Sequence, residues 1–188
     1  LDAKLRHDTR AELKRLQRDL NMTMVYATPD QLEALTMGDN ITIINNGKFI
    51  QKGSPNNLYD KPNNTYVAKM IGSPTINFIN AKLAQDNNQN IIELPFGKLN
   101  LNNPLSSKND FLNTEISFGI RPHDITLAND NSKDNFDANV FLKEPLGDVT
   151  ILDIAIKNNK LKMILPEEEA IKYDVGNNIK ITIDNYME

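Results

Sequence analysis

Beyond residue 75 the apolar residues of this chain recur at every second position. Ile79, Ala81 and Leu83 form one such row. Ile116, Phe118 and Ile120 form a second, and Leu152, Ile154 and Ile156 a third. Leu161, Met163 and Leu165, then Ile179, Ile181 and Ile183, complete the set. Period two places one face of an extended strand against a core and the other in water. Asn87-Asn88, Pro95-Phe96-Gly97, Asn158-Asn159 and Gly176-Asn177-Asn178 separate the runs, and residues of these types turn chains. Several short strands with regular turns predict a small antiparallel barrel or sandwich, and the runs are too broken for a helical domain.

The period is different before Gly72-Ser73-Pro74. Leu5, Thr9, Leu13, Leu16 and Leu20 follow the three-to-four spacing of a helix face, with Asp2 placed to cap its start and Asn21 to end it. Arg6, Arg10, Lys14 and Arg18 line its outer face, either for an acidic partner or simply for water. MTMVYAT over 22–28 has strand character through Val25 and Tyr26. PDQLEALTMG then predicts a helix with Thr28 at N-cap, Pro29 at N1, Asp30 at N2 and Gln31 at N3, closed by Gly38. ITIINNGKFIQKG predicts a hairpin turned at Asn46-Gly47. SPNNLYDKP and NTYVAKMIG predict two short helices, the first begun by Ser54-Pro55 and ended before Pro62.

The expected fold class is therefore α+β, with 1–72 the end of an α/β domain and 73–188 an all-β barrel or sandwich, for which the resemblance below implies an OB-like barrel. A lone strand at 22–28 cannot make a parallel sheet by itself, so 1–72 has the character of a sheet domain without its earlier strands. A length of 188 residues, 24% charged and 39% hydrophobic, fits one large or two small domains.

Charge and side-chain chemistry exclude several functions. Residues 1–75 carry 10 basic and 8 acidic side chains, and 76–188 carry 11 and 17; the nets of +2 and −6 give the overall −4. Nucleic-acid binding needs clustered cations and stacked aromatics, whereas the second half is acidic and its aromatics are scattered. The chain has no cysteine, so it has neither a disulfide framework nor a thiolate metal site. His7 and His123 lack ligand-like spacing, and no metal site is expected. No apolar run approaches the roughly 18 residues that span a bilayer, and Leu1 opens directly into a charged amphipathic segment, unlike a secretory leader. Two further loops carry candidate contacts. GIRPHDI contains Arg121, His123 and Asp124, and EPLGD contains Glu144, Gly147 and Asp148. Each is either a partner or effector contact or a plain turn between strands. Glu167-Glu168-Glu169 is expected to open a solvated helix after Pro166.

LDAKLR at 1–6, DQLEALTMGD at 30–39, NNGKFIQKGSPNNLYDKP at 45–62 and VAKMIGSPTINFI at 67–79 together resemble one continuous segment of the ATP-binding subunits of ABC importers. GIRPHDITL at 119–127 and KEPLGDVTIL at 143–152 resemble the transport-associated OB-like (TOBE) regulatory domain of the carbohydrate and glycerol-phosphate subgroup. GSPTINF is similar to the sugar branch in particular. The resemblance covers nearly the whole chain, with its motifs in order.

The resemblance implies that Leu1-Asp2 ends the D-loop, with Asp2 at a dimer interface. It implies that Pro29 stands where the family has its switch histidine, which meets the γ-phosphate and the attacking water. The chain contains no GxxxxGK[ST] phosphate cradle, and the family's glutamine loop, signature loop and Walker B strand precede the D-loop. Intact family members are transport ATPases that use ATP and magnesium. These residues are expected to supply no catalytic group and to bind no cofactor alone. The implied partners are a second ATPase subunit, in a homodimer, and the membrane permease, at the cytoplasmic face of the membrane. The alternative is a stand-alone binding or dimerisation module with no catalytic role, and a barrel that senses a small anion or sugar is a third reading.

Overall fold

The computed structural model describes residues 3–86, 89–101, 112–129, 132 and 134–184. They form two compact units, Leu1–Ser73 and Pro74–Glu188.

In the first unit, α1 (Ala3–Asp19) ends through Leu20 into Asn21, whose φ of 47° lets the Met22 amide turn back to the Gln17 carbonyl at 3.1 Å. The expected strand at 22–28 does not form. The segment has no regular structure and pairs with no strand among the described residues, and Val25 is 93% exposed. The cause is the one foreseen for a lone strand: β-propensity needs a neighbour to satisfy the backbone. The apolar face of α1 is similarly uncovered at Leu16 and Leu20, while Lys14 from its basic stripe donates to the Thr36 carbonyl at 3.0 Å. That contact places an ammonium at the C-terminal end of α2 (Gln31–Met37), where a cation is favourable.

The hairpin forms as its Asn-Gly turn requires. β1 (Ile41–Asn45) and β2 (Lys48–Gly53) pair antiparallel, with Asn46 at φ 49° and Gly47 at φ 73°. α3 (Pro55–Asp60) is capped by Ser54 and has proline in its first turn; α4 (Thr65–Met70) is capped by Asn64. Ile41, Ile43, Leu58, Val67 and Ile71 make the core. Gln51, itself buried, donates to the Lys61 carbonyl at 2.9 Å and accepts from the Asn63 amide at 2.7 Å. This side-chain amide satisfies both backbone groups of the loop between α3 and α4.

The second unit is all but entirely β. β3 (Asn77–Asp86), β4 (Gln89–Leu94), β5 (Gly97–Asn100) and β6 (Glu115–Ile120) form a sheet in the order β5-β4-β3-β6. A 3-10 turn (Pro122–Asp124) leads to β7 (Ile125–Leu127), followed by β8 (Phe136–Pro145), β9 (Val149–Ile156), β10 (Asn159–Pro166), α5 (Glu167–Ala170) and β11 (Asn178–Ile183). Their sheet order is β10-β9-β8-β11-β7, and all pairs are antiparallel. The predicted rows Leu152-Ile154-Ile156, Leu161-Met163-Leu165 and Ile179-Ile181-Ile183 point inward and are buried. One apolar cluster draws on both sheets.

Two turns differ in place from the sequence reading. The β9–β10 loop is Lys157-Asn158, because Asn159 already pairs with Ile156, and Lys157 takes the left-handed φ of 52°. The β4–β5 turn is Pro95-Phe96, since Gly97 pairs with Leu94. Gly97 has to be small: a Cβ there would lie 2.7 Å from Phe136 Cε1. Phe136 in turn meets Phe96 edge-on, centroids 5.1 Å apart.

Asn77 joins the two sheets. Its Nδ2 donates to the Ile120 carbonyl at 3.2 Å and to the Lys162 carbonyl at 2.9 Å, and its Oδ1 accepts from the Lys162 amide at 2.7 Å. The side-chain amide thus pairs with the β10 backbone as a neighbouring strand would, while remaining anchored in the other sheet. It satisfies peptide groups that barrel closure would otherwise leave without a partner.

Candidate functional site

The loop into α2 holds position 29, where the resemblance implies that the family has its switch histidine and this chain has proline. The helix begins two residues later than the sequence reading had it. Asp30, not Thr28, is the N-cap, and its Oδ1 accepts from the Leu32 and Glu33 amides at 2.8 and 3.2 Å. A carboxylate reaches two free amides here and also favours the positive helix end, so it outcompetes the hydroxyl. Thr28 works one step earlier. Its Oγ1 accepts from the Asp30 amide at 3.0 Å and donates to Glu33 Oε2 at 2.7 Å. Pro29 lies between them, exposed, just outside the helix. Gln31 is N1, not N3, and closes no capping box. Its Oε1 accepts from the Gly72 amide at 3.0 Å and so ties α2 to the far end of the unit.

Glu33, at N3, was overlooked in the sequence although its spacing from Asp30 is that of a capping box. Its carboxylate also accepts from Tyr26 Oη at 3.3 Å, and the nearby Glu33 charge pushes the Tyr26 phenol above its ordinary pKa. Thr28, Asp30, Gln31, Glu33 and Tyr26 are therefore brought together around one helix start. Pro29 has no side-chain donor, the Thr28 hydroxyl is committed to Glu33, and Asp30 and Glu33 present negative charge. Asp2 lies outside the described residues.

The candidate contacts of the second unit sit on separate elements. Arg121 is 1% exposed, so it is a core residue and not the surface contact that GIRPHDI suggested. Pro122 starts the 3-10 turn, closed by the Asp124 amide on the Arg121 carbonyl at 3.0 Å, and the turn sends Arg121 inward and His123 outward. His123 Nε2 stands 3.5 Å from Asp124 Oδ1. Glu144 and Asp148 are exposed at the β8–β9 hairpin tip. There the Leu146 amide bonds to the Val149 carbonyl at 2.8 Å, and Gly147 takes φ 112°. The Asp148 carbonyl accepts from the Glu167 amide at 3.0 Å, and the Glu167 side chain accepts from the buried Thr150 hydroxyl. The glutamate run thus starts a helix as expected, but its first member is fastened to β9.

The MalK OB fold domain family matches residues 72–125, which span the entry into the second unit and its four-stranded sheet. The trehalose/maltose import ATP-binding protein MalK of Thermococcus litoralis is 46% identical over 125 residues, 66% of this chain and 34% of that protein. The alpha-glucoside transport ATP-binding protein AglK of Rhizobium meliloti is 35% identical over 190 residues, 98% of this chain and 51% of that protein. The chain belongs to the ATP-binding subunits of ABC importers of the carbohydrate and glycerol-phosphate type. The sn-glycerol-3-phosphate import ATP-binding protein UgpC of Brucella abortus, 38% identical over 165 residues, covers 85% of this importer-family chain and 42% of its own. The chain spans between a third and about half of the length of these curated relatives. Its α+β fold, with an OB-fold domain in the second unit, is that of the family. A solved structure of the molybdate-binding protein ModG superposes at TM-score 0.48 with 13% identity over 57% of this chain and 89% of that one, too distant to inform the site.

Proposed function

We propose that these residues are the C-terminal part of an importer ATPase subunit that serves sugar or glycerol-phosphate uptake. In this reading Leu1–Ser73 ends the nucleotide-binding domain and Pro74–Glu188 is the TOBE-type regulatory domain that holds two subunits together and receives regulatory signals. The observation that carries the reading is the continuity of the match: AglK aligns with 98% of the chain, through both units, and the MalK OB fold domain begins at their junction. The exposure of residues 22–26 supports it, because a strand-like segment is left uncovered when its sheet neighbours belong to a larger domain. The partners are a second ATPase subunit and the membrane permease, and the location is the cytoplasmic face of the membrane. Among the described residues no helix is long and apolar enough to cross a bilayer.

The 188 residues alone neither bind nor hydrolyse ATP in this account, with or without magnesium. Calorimetry with Mg-ATP and a phosphate-release assay on the purified chain test this: no heat and no release are expected, and turnover would contradict it. An intact subunit carrying Pro29 hydrolyses ATP slowly, and Pro29→His raises its rate by about a hundredfold or more, the lower end of what one positioned catalytic group contributes. Equal rates would refute the assignment of position 29. Light scattering on the chain is expected to give the mass of two copies; a monomer at all concentrations would remove the dimerisation role.

A further inference from the structure

We infer that Asn46 is a site of spontaneous covalent modification, converted to aspartate and isoaspartate through attack by the Gly47 backbone nitrogen, and that the conversion dismantles the hairpin tip. The reaction needs a flexible backbone amide next to an asparagine, an unshielded approach and solvent. Asn46-Gly47 is the chain's single Asn-Gly pair, and the chain has no Asp-Gly. Both residues are exposed, and a Cβ built on Gly47 would meet nothing within 4 Å. Gly47 therefore has open space on its Cα and no side chain to crowd the neighbouring nitrogen. No hydrogen bond among the described residues holds the Asn46 side chain.

Two other exposed asparagines are held by their side chains. Asn64 Oδ1 accepts from the Val67 amide at 3.0 Å, and Asn177 Oδ1 accepts from the Asp174 amide at 2.9 Å. Asn63, next to Asn64, has its own backbone amide bound to Gln51 at 2.7 Å. Each is followed by a residue with a side chain, which shields the attacking nitrogen and stiffens the backbone.

The hairpin tip supplies the motion. A two-stranded sheet is marginal in water, and this one is buried at its base, through Ile41, Ile43 and Gln51. Its register shifts between Ile43 and Ile44, and the next pair, Ile44 with Phe49, faces solvent, Phe49 being 82% exposed. Beyond that bulge little opposes local opening, so the left-handed Asn46 can rotate into the geometry of attack.

The chemistry balances with water alone. A bond forms between the Gly47 nitrogen and Asn46 Cγ, the Cγ–Nδ2 bond breaks, and the Gly47 amide proton leaves with the amine as ammonia. Water then opens the succinimide at either carbonyl, giving aspartate or isoaspartate and one new negative charge. Isoaspartate inserts an extra methylene into a turn that has only two residues between Asn45 and Lys48, so the Asn45–Lys48 and Ile44–Phe49 pairings are lost.

The test is to age the folded 188-residue chain at mildly alkaline pH and follow each asparagine by peptide mass mapping, with isoaspartate detected by carboxyl methylation. Asn46 is expected to convert several-fold faster than Asn63 or Asn177. The first phase of amide loss is expected to vanish in Asn46→Ser, with amide exchange at Phe49 and Ile50 accelerating as the wild type ages. Conversion of all asparagines at one pace, or an intact Asn46 while others react, would overturn the proposal. So would unchanged exchange across 44–50 in the fully converted chain.

Discussion

The two units meet the same physical demand in different ways. In Pro74–Glu188 every long period-two row finds an opposing sheet, and Leu152, Ile154, Met163 and Ile181 are fully buried. In Leu1–Ser73 a small cluster around Leu58 and Val67 is closed, while Leu20, Val25, Leu32 and Phe49 face water. The difference lies in what each sequence can bury by itself. Alternating strands of the second unit cover each other. The first unit has a two-stranded hairpin and short helices, and its segment 22–28 has β-character with no described strand to pair with.

Core truncation gives the largest effect and sharpens this contrast. Ile154→Ala and Met163→Ala are expected to cost about 2–5 kcal/mol in urea unfolding of the second unit. Val25→Ala, chemically similar but exposed, is expected to stay within about 0.5 kcal/mol. A large loss from Val25→Ala would show that 22–28 is packed in solution and would break the comparison.

The next effect compares the two amides that tie backbone segments together. Asn77→Ala leaves backbone groups of Lys162 and Ile120 without their partner and is expected to cost about 1–3 kcal/mol in the second unit. Gln51→Ala removes two such bonds near the edge of a smaller core, and a cost at the lower end of that range, about 1 kcal/mol, is expected in the first. Denaturation followed separately for each unit by exchange-resolved mass spectrometry distinguishes them. The reverse ranking would mean that Asn77 is not what holds the barrel shut.

The smallest effect belongs to the loop at position 29. Asp30→Ala is expected to cost about 0.5–2 kcal/mol through loss of the α2 cap, read as faster exchange of the Leu32 and Glu33 amides. Thr28→Ala is expected to disturb them less, because its hydroxyl holds Asp30 and Glu33 and not the helix amides. Equal effects would restore Thr28 as the cap.

What the sequence revealed follows the same division. Period two marked the inward rows of β9, β10 and β11, because alternation is imposed by strand geometry and does not depend on which strand is the neighbour. Asn46-Gly47 and Ser54-Pro55 marked a turn and a helix start because their signals are local. MTMVYAT misled because strand formation needs a partner that local pattern does not carry. The cap moved from Thr28 to Asp30 because two adjacent residues could both cap, and only geometry ranks them. For Arg121 the local pattern left a partner contact and a plain turn open, and its burial depends on the turn at Pro122. Asn77 gave no signal: a single asparagine at a strand start looks ordinary until strand β10, 85 residues away, is seen beside it.

Hydrogen exchange on the 188-residue chain tests most directly the claim that the second unit buries its strands against one another while segment 22–28 of the first pairs with no described strand. Amides of β8, β9, β10 and β11 are expected to exchange together and last, and those of 22–28 and α1 first, well before the second unit opens. Uniformly high protection across 1–72 in a monomer would contradict it.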